Sequence, residues 1–140
     1  MPNWLQYVDF SIGLIGLFLT LYTLKTAFSV KRYVIRNAEI SDFSNEFPSL
    51  INQLDGYIYS IIEDKIYESD NGRSFRPSII HFLDDASTRY SFFSSASKRK
   101  LKELRRLLNN PTISNDEWIG ISSQLTALKN LLRKELVYHE

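Results

Sequence analysis

Hydrophobic positions divide the chain into one long apolar run and several shorter periodic ones. The run is Trp4–Val30, WLQYVDFSIGLIGLFLTLYTLKTAFSV, and no residue between Phe10 and Leu24 is charged. A helix that crosses a bilayer takes roughly 20 predominantly apolar residues. The uncharged stretch is shorter than that. It becomes long enough if Lys25 snorkels its ammonium to the headgroups and the helix continues to Val30. The pattern therefore predicts a membrane anchor over residues 1–36. A buried core helix of a soluble protein is the competing reading, and the near-absence of polar residues on most faces argues against it.

Within the run, Gln6, Asp9, Gly13, Gly16, Thr20, Thr23 and Ala27 recur at alternating steps of three and four. On a helix this is one stripe, the seam of a left-handed crossing. Lipid tails give helices no hydrophobic reason to associate, so close approach at small residues has to supply the attraction. Asp9, Gly13, Gly16, Thr20, Thr23 and Ala27 are the candidate transmembrane interface. The expected partner is a second copy or another membrane subunit. Leu14, Ile15, Leu17, Phe18, Leu19, Leu21 and Leu24 fill the other faces and suit lipid. Chance spacing in a monomeric anchor stays open, because Ser11, Tyr22 and Thr26 lie off the stripe. The run from Gly16 to Thr26 resembles the anchors of many small bacterial membrane proteins.

Beyond the run, Lys31 to Phe43 contains neither Gly nor Pro, so the helix is expected to continue past the bilayer. Ser41, Ser44 or Asn45 can cap a new helix with Pro48 in its first turn. Leu50, Ile51, Leu54, Ile58, Ile61, Ile62 and Ile66 then keep helical spacing up to a stop at Ser69, Asp70, Asn71 and Gly72. A second helix starts near Pro77, capped near Ser74 or Arg76, with Ile79, Phe82, Leu83, Ala86, Tyr90 and Phe93 on its apolar face. The serine-rich stretch from Ser91 to Ser97 predicts a kink or short break. Lys98 to Leu108 reads as a basic amphipathic helix with Leu101, Leu104 and Leu108 on one face, stopped by Asn109, Asn110 and Pro111. The last helix has a capping box at Ser114 and Glu117, with Ile113 and Trp118 as its hydrophobic staple. Trp118, Ile121, Leu125, Leu128 and Leu132 continue as a seam for another helix. No strand-length alternation occurs. The fold class is all-α: one N-terminal transmembrane helix followed by a small cytoplasmic three- or four-helix bundle over residues 37–140.

Charge adds a direction. The net charge of +1 conceals segments of +3 (residues 1–38), −7 (39–85), +6 (86–106) and −1 (107–140). Asp9 precedes the apolar core, while Lys25, Lys31, Arg32 and Arg36 follow it, the reverse of a cleaved signal peptide. The positive-inside rule then puts the N-terminus outside and the bundle in the cytoplasm. Trp4, Tyr7 and Tyr33 lie near the two ends, where amphipathic rings favour the interface. The chain contains no cysteine, which excludes disulfides and thiolate metal sites and fits a reducing compartment.

The search for chemistry returns little. His81 shares a helical face with Asp84 and Asp85, but one helix supplies too few ligands for a metal. Glu63, Asp64, Glu68 and Asp70 lack the alternating oxygens and closing glutamate of a calcium loop. His139 lies near the end of the sequence and is read as frayed. There is no nucleophile elbow and no glycine-rich phosphate loop. No catalytic residue, cofactor or metal is assigned, and the chain is expected not to be an enzyme. The basic surface of Lys98, Arg99, Lys100, Lys102, Arg105 and Arg106 has three candidate partners. The acidic face of the first soluble helix, within or between protomers, ranks first and anionic lipid second. Nucleic acid ranks last, for want of exposed aromatic residues beside the charge. The expected function is a single-pass membrane protein acting by protein–protein contacts, as a subunit, adaptor or regulator. The alternatives are an oligomerising membrane-disrupting effector controlled by its helical domain, and a membrane-tethered enzyme using His81 and Asp84.

Overall fold

A computed structural model describes residues 3–70 and 72–139 of the chain. All regular structure among them is helical: α1 (Asn3–Ile62), the short α2 (Tyr67–Asp70), α3 (Arg76–Arg89), α4 (Ser95–Leu108) and α5 (Asn115–Tyr138). The chain divides into two compact units, residues 1–37 and 38–140.

The expected helix start at Pro48 does not occur. Helix α1 runs through that proline without a break. Proline removes one backbone donor, but Ser44, whose carbonyl loses its partner, is exposed and so open to solvent. Packing explains why the helix persists. Phe43, Leu50, Leu54 and Ile61 are buried, with Phe47, Tyr57 and Ile58 packed against the same core. This three- and four-residue stripe continues across Pro48, so a break there would tear one apolar face in two. At its other end α1 stops earlier than its isoleucines suggest. Lys65 takes a left-handed conformation at φ 48°, and the Glu63 amide returns to the Tyr59 carbonyl at 2.8 Å.

The remaining helices follow most of their sequence signals, although α3 ends at Arg89 and the buried Tyr90 and Phe93, expected on its apolar face, lie just past it. Pro77 sits in the first turn of α3, although the N-cap is Phe75 and no side chain caps it. Ser74 instead turns its hydroxyl to Asp70, at 3.0 Å. The expected break after α3 is a short connection, and Ser94 caps α4 by accepting the Ser97 amide. One half of the capping box of α5 is formed: Ser114 Oγ accepts the Glu117 amide at 3.2 Å, while the Glu117 carboxylate accepts the Ser114 hydroxyl at 3.2 Å. Ile113 and Trp118 of the staple are both buried, as are Ile121, Leu125, Leu128 and Leu132 of the seam.

Within residues 38–140, the later part of α1, α3, α4 and α5 form an up-down-up-down helical bundle. At one end Phe43 of α1 meets Tyr90, Phe92 and Phe93 with ring centroids 5.2–5.6 Å apart. There too Ser91 donates to Glu39 at 2.7 Å, and the Ser94 amide to Glu135 of α5 at 2.8 Å. At the other end Arg76 of α3 donates to the Asn110 carbonyl at 2.8 Å, and Trp118 lies against Gly72. The first of these is the proximal end, where the chain enters the bundle.

Candidate functional site

The N-terminal part of α1 is long and apolar enough to cross a membrane, and none of that stretch is buried. Phe10, Phe18 and Leu19 are each more than 60 % exposed. Backbone groups inside a helix satisfy one another, which is the condition for surviving in hydrocarbon. Four of the hydroxyls here are satisfied in the same way. Ser11, Thr20, Thr23 and Thr26 donate to the carbonyls four residues back, of Tyr7, Gly16, Leu19 and Tyr22, at 2.8–2.9 Å. At these four positions back-bonding leaves methyl and methylene groups outward and the hydroxyl proton already bonded.

Asp9, Gly13, Gly16, Thr20, Thr23 and Ala27 all lie on this exposed helix. At 3.6 residues per turn their directions fall within an arc of roughly 80°. A Cβ added at Gly13 or Gly16 would meet nothing within 4 Å. The stripe is therefore narrow, smooth and open.

The basic surface on α4 divides into two groups. Lys100 donates to Gln124 of α5 at 2.6 Å and to Glu103 at 3.4 Å. Arg105 bridges to Asp84 of α3 at 3.0 Å. Lys98, Arg99, Lys102 and Arg106 are exposed, and their side chains make no hydrogen bond or ion pair among the described residues. The acidic residues of α1 pair elsewhere: Asp55 with Lys129 of α5 at 2.6 Å, and Glu46 with Arg89 of α3. Pairing inside the bundle thus takes up two of the six cations, and none of it comes from α1.

His81 and Asp85 line an open cavity of about 430 Å³ between α1 and α3, together with Glu46, Gln53, Tyr57 and Arg89. Asp85 faces Arg89 at 3.5 Å and Asp84 is held by Arg105, so the three residues His81, Asp84 and Asp85 do not converge. Among the described residues no group of three or more His, Asp or Glu is arranged to hold a metal. Arg89 donates to Glu46, whose other oxygen accepts Tyr90 Oη at 2.6 Å. The Arg89 guanidinium, and then the Tyr90 hydroxyl, hold the Glu46 carboxyl below its ordinary range. Burial, reinforced by that bond, pushes the Tyr90 phenol up.

No family model matches this chain, and no curated protein or solved structure matches it. Its features have to be read from its own residues.

One feature escaped the sequence reading. Glu135 is 4 % exposed and accepts the Ser94 amide and Ser97 Oγ, each at 2.8 Å. It caps the first turn of α4 from a neighbouring helix. Burial drives its pKa up, but the hydrogen bonds from Ser94 and Ser97 outweigh burial, and the net shift is downward. His139 is not frayed. Its Nε2 lies 3.4 Å from Glu135, and its ring packs edge-on against Phe92 at 4.9 Å. The signal was in the spacing: Leu128, Leu132 and Glu135 continue the α5 seam, and a carboxylate on a seam needs donors.

Proposed function

We propose that this chain is a single-pass membrane protein that works by helix–helix contacts and not by catalysis. The observation that carries the reading is the wholly unburied apolar stretch of α1. Contiguous exposed apolar surface of this extent has to be covered by lipid or by another protein. The closed backbone and back-bonded hydroxyls suit lipid. Lys25, Lys31, Arg32 and Arg36 after the span, against Asp9 before it, support an N-terminus outside and a cytoplasmic bundle. The stripe from Asp9 to Ala27 is the proposed contact with a second copy or another membrane subunit. No cofactor is part of this reading.

The absence of cysteine makes the topology directly measurable. Asn3→Cys is expected to react with a membrane-impermeant maleimide in intact cells, and Asn115→Cys only after permeabilisation. The opposite pattern would sink the orientation, and release of the chain by alkaline carbonate would sink the anchor. Association is read by native mass spectrometry in detergent. Gly16→Leu should weaken it by about 1–3 kcal/mol, the usual cost of forcing methylenes into a packed contact. A strict monomer, unmoved by the substitution and with no co-purifying subunit, would remove the proposed interface.

A further inference from the structure

We propose that the proximal end of the bundle docks on anionic phospholipid headgroups of the bilayer that holds α1. The proposal rests on the anchor reading above and adds a partner for a surface that reading leaves unused.

The hydrogen bonds of Glu135 to Ser94 and Ser97 bring the last turns of α5 beside the first turn of α4. That juxtaposition gathers Lys98 and Arg99 of α4 with Arg133 and Lys134 of α5 at one end. All four are exposed, and none has a partner among the described residues. Beside them Val137 and Tyr138 stand 71 % and 83 % exposed. Arg133, Lys134, Val137 and Tyr138 together line a shallow apolar hollow.

This is also the end at which the chain enters the bundle, since Glu39 and Phe43 of α1 contact Ser91, Phe92 and Phe93 there. Lys31, Arg32 and Arg36 lie just ahead in the sequence. The carboxylates of this end do not cancel the charge. Glu46 is matched by Arg89, and Glu135 is buried and fully engaged. Glu39, which accepts only the neutral Ser91 hydroxyl, and the exposed Asp42 keep their charge here, two carboxylates of α1 against the four cations.

Cations around an aromatic hydroxyl and an aliphatic group form the chemistry of the headgroup layer. Lys and Arg meet phosphate there, and tyrosine prefers that depth. Nucleic acid would call for several stacking rings among the cations, and Tyr138 is the lone aromatic residue exposed at this patch.

The test uses the full chain reconstituted in vesicles of phosphatidylcholine alone, or of three parts phosphatidylcholine to one part phosphatidylglycerol. Ala96→Cys at the proximal end and Asn115→Cys at the other each carry an environment-sensitive fluorophore. With phosphatidylglycerol present, the Ala96 label should shift to shorter wavelength and be quenched about twofold less by neutral acrylamide, as headgroup contact requires. The Asn115 label should not respond. The effect should vanish in 1 M salt, where the Debye length is about 3 Å, and in the variant carrying K98Q, R99Q, R133Q and K134Q. Identical emission in both vesicles, or an unchanged response in that variant, overturns the proposal. So does protection of the Ala96 label by a single-stranded oligonucleotide but not by phosphatidylglycerol, which would assign the patch to nucleic acid. Failure to float with phosphatidylcholine vesicles overturns the anchor reading and this proposal together. Flotation without a phosphatidylglycerol response overturns this proposal alone.

Discussion

Glu135→Ala is expected to destabilise the bundle by about 2–4 kcal/mol. The substitution leaves the hydroxyl proton of Ser97, a fully buried residue, without its acceptor Glu135, and an unsatisfied buried donor costs about 1–3 kcal/mol. It also frees the Ser94 amide, a bond of ordinary net value, near 1 kcal/mol. Thermal unfolding of the full chain in detergent should register the change, since roughly 4–8 °C accompanies each kcal/mol in a domain of this size. Glu135→Gln keeps an acceptor for both donors and should recover most of the loss at neutral pH. The same residue sets a pH dependence. A carboxyl whose folded pKa lies below its unfolded value contributes stability that is complete above the ordinary carboxylate range and fades as pH falls through it. Glu46, held down by Arg89 and Tyr90, acts in the same direction. Stability should therefore fall on acidification through that range, and Glu135→Gln should flatten the fall. An acid profile identical in the two proteins would show that Glu135 is not the titrating group.

Local signals proved the most legible part of the sequence. The cap at Ser114, the break within Ser91 to Ser97, the stop after Leu108 and the seam of α5 each depend on residues within one or two turns. Sequence spacing captures such features. Pro48 misled for the opposite reason. Its effect on local propensity is real, but Phe43 lies against Tyr90, Phe92 and Phe93, some fifty residues away in sequence, and that packing holds the helix through the proline. The end of α1 misled too, because a left-handed lysine at Lys65 has no composition signature.

Segment charges carried real information about α4 and very little about its partners. Opposite totals of −7 and +6 suggested that α1 and α4 face each other. The ion pairs connect α1 to α3 and α5, and α4 to α3. Pairing is decided by helix order around the bundle, which a running charge sum cannot express. The proximal patch was hidden for the same reason. Lys98 and Arg133 are distant in sequence, and only the antiparallel run of α4 and α5 brings their ends together.

Gly72→Ala is expected to cost about 2–5 kcal/mol, although it adds a single methyl group. Gly72 has φ +69°, in the left-handed region where a Cβ costs roughly 1–2 kcal/mol. That Cβ would also lie 2.4 Å from Cζ2 and 2.9 Å from Cη2 of Trp118, and overpacking typically costs about 1–3 kcal/mol. The indole has little freedom to yield. It is 1 % exposed, and its N–H meets no acceptor among the described residues, so close packing is what holds the ring. Gly56→Ala is the matched control. Gly56 lies inside α1 with nothing within 4 Å of an added Cβ, and glycine in a helix interior is about 0.5–1 kcal/mol worse than alanine. The same methyl group should thus raise the melting temperature at Gly56 and lower it at Gly72. Equal shifts at the two positions would mean that backbone flexibility alone governs both. The close fit of Trp118 against Gly72 would then carry none of the stability assigned to it.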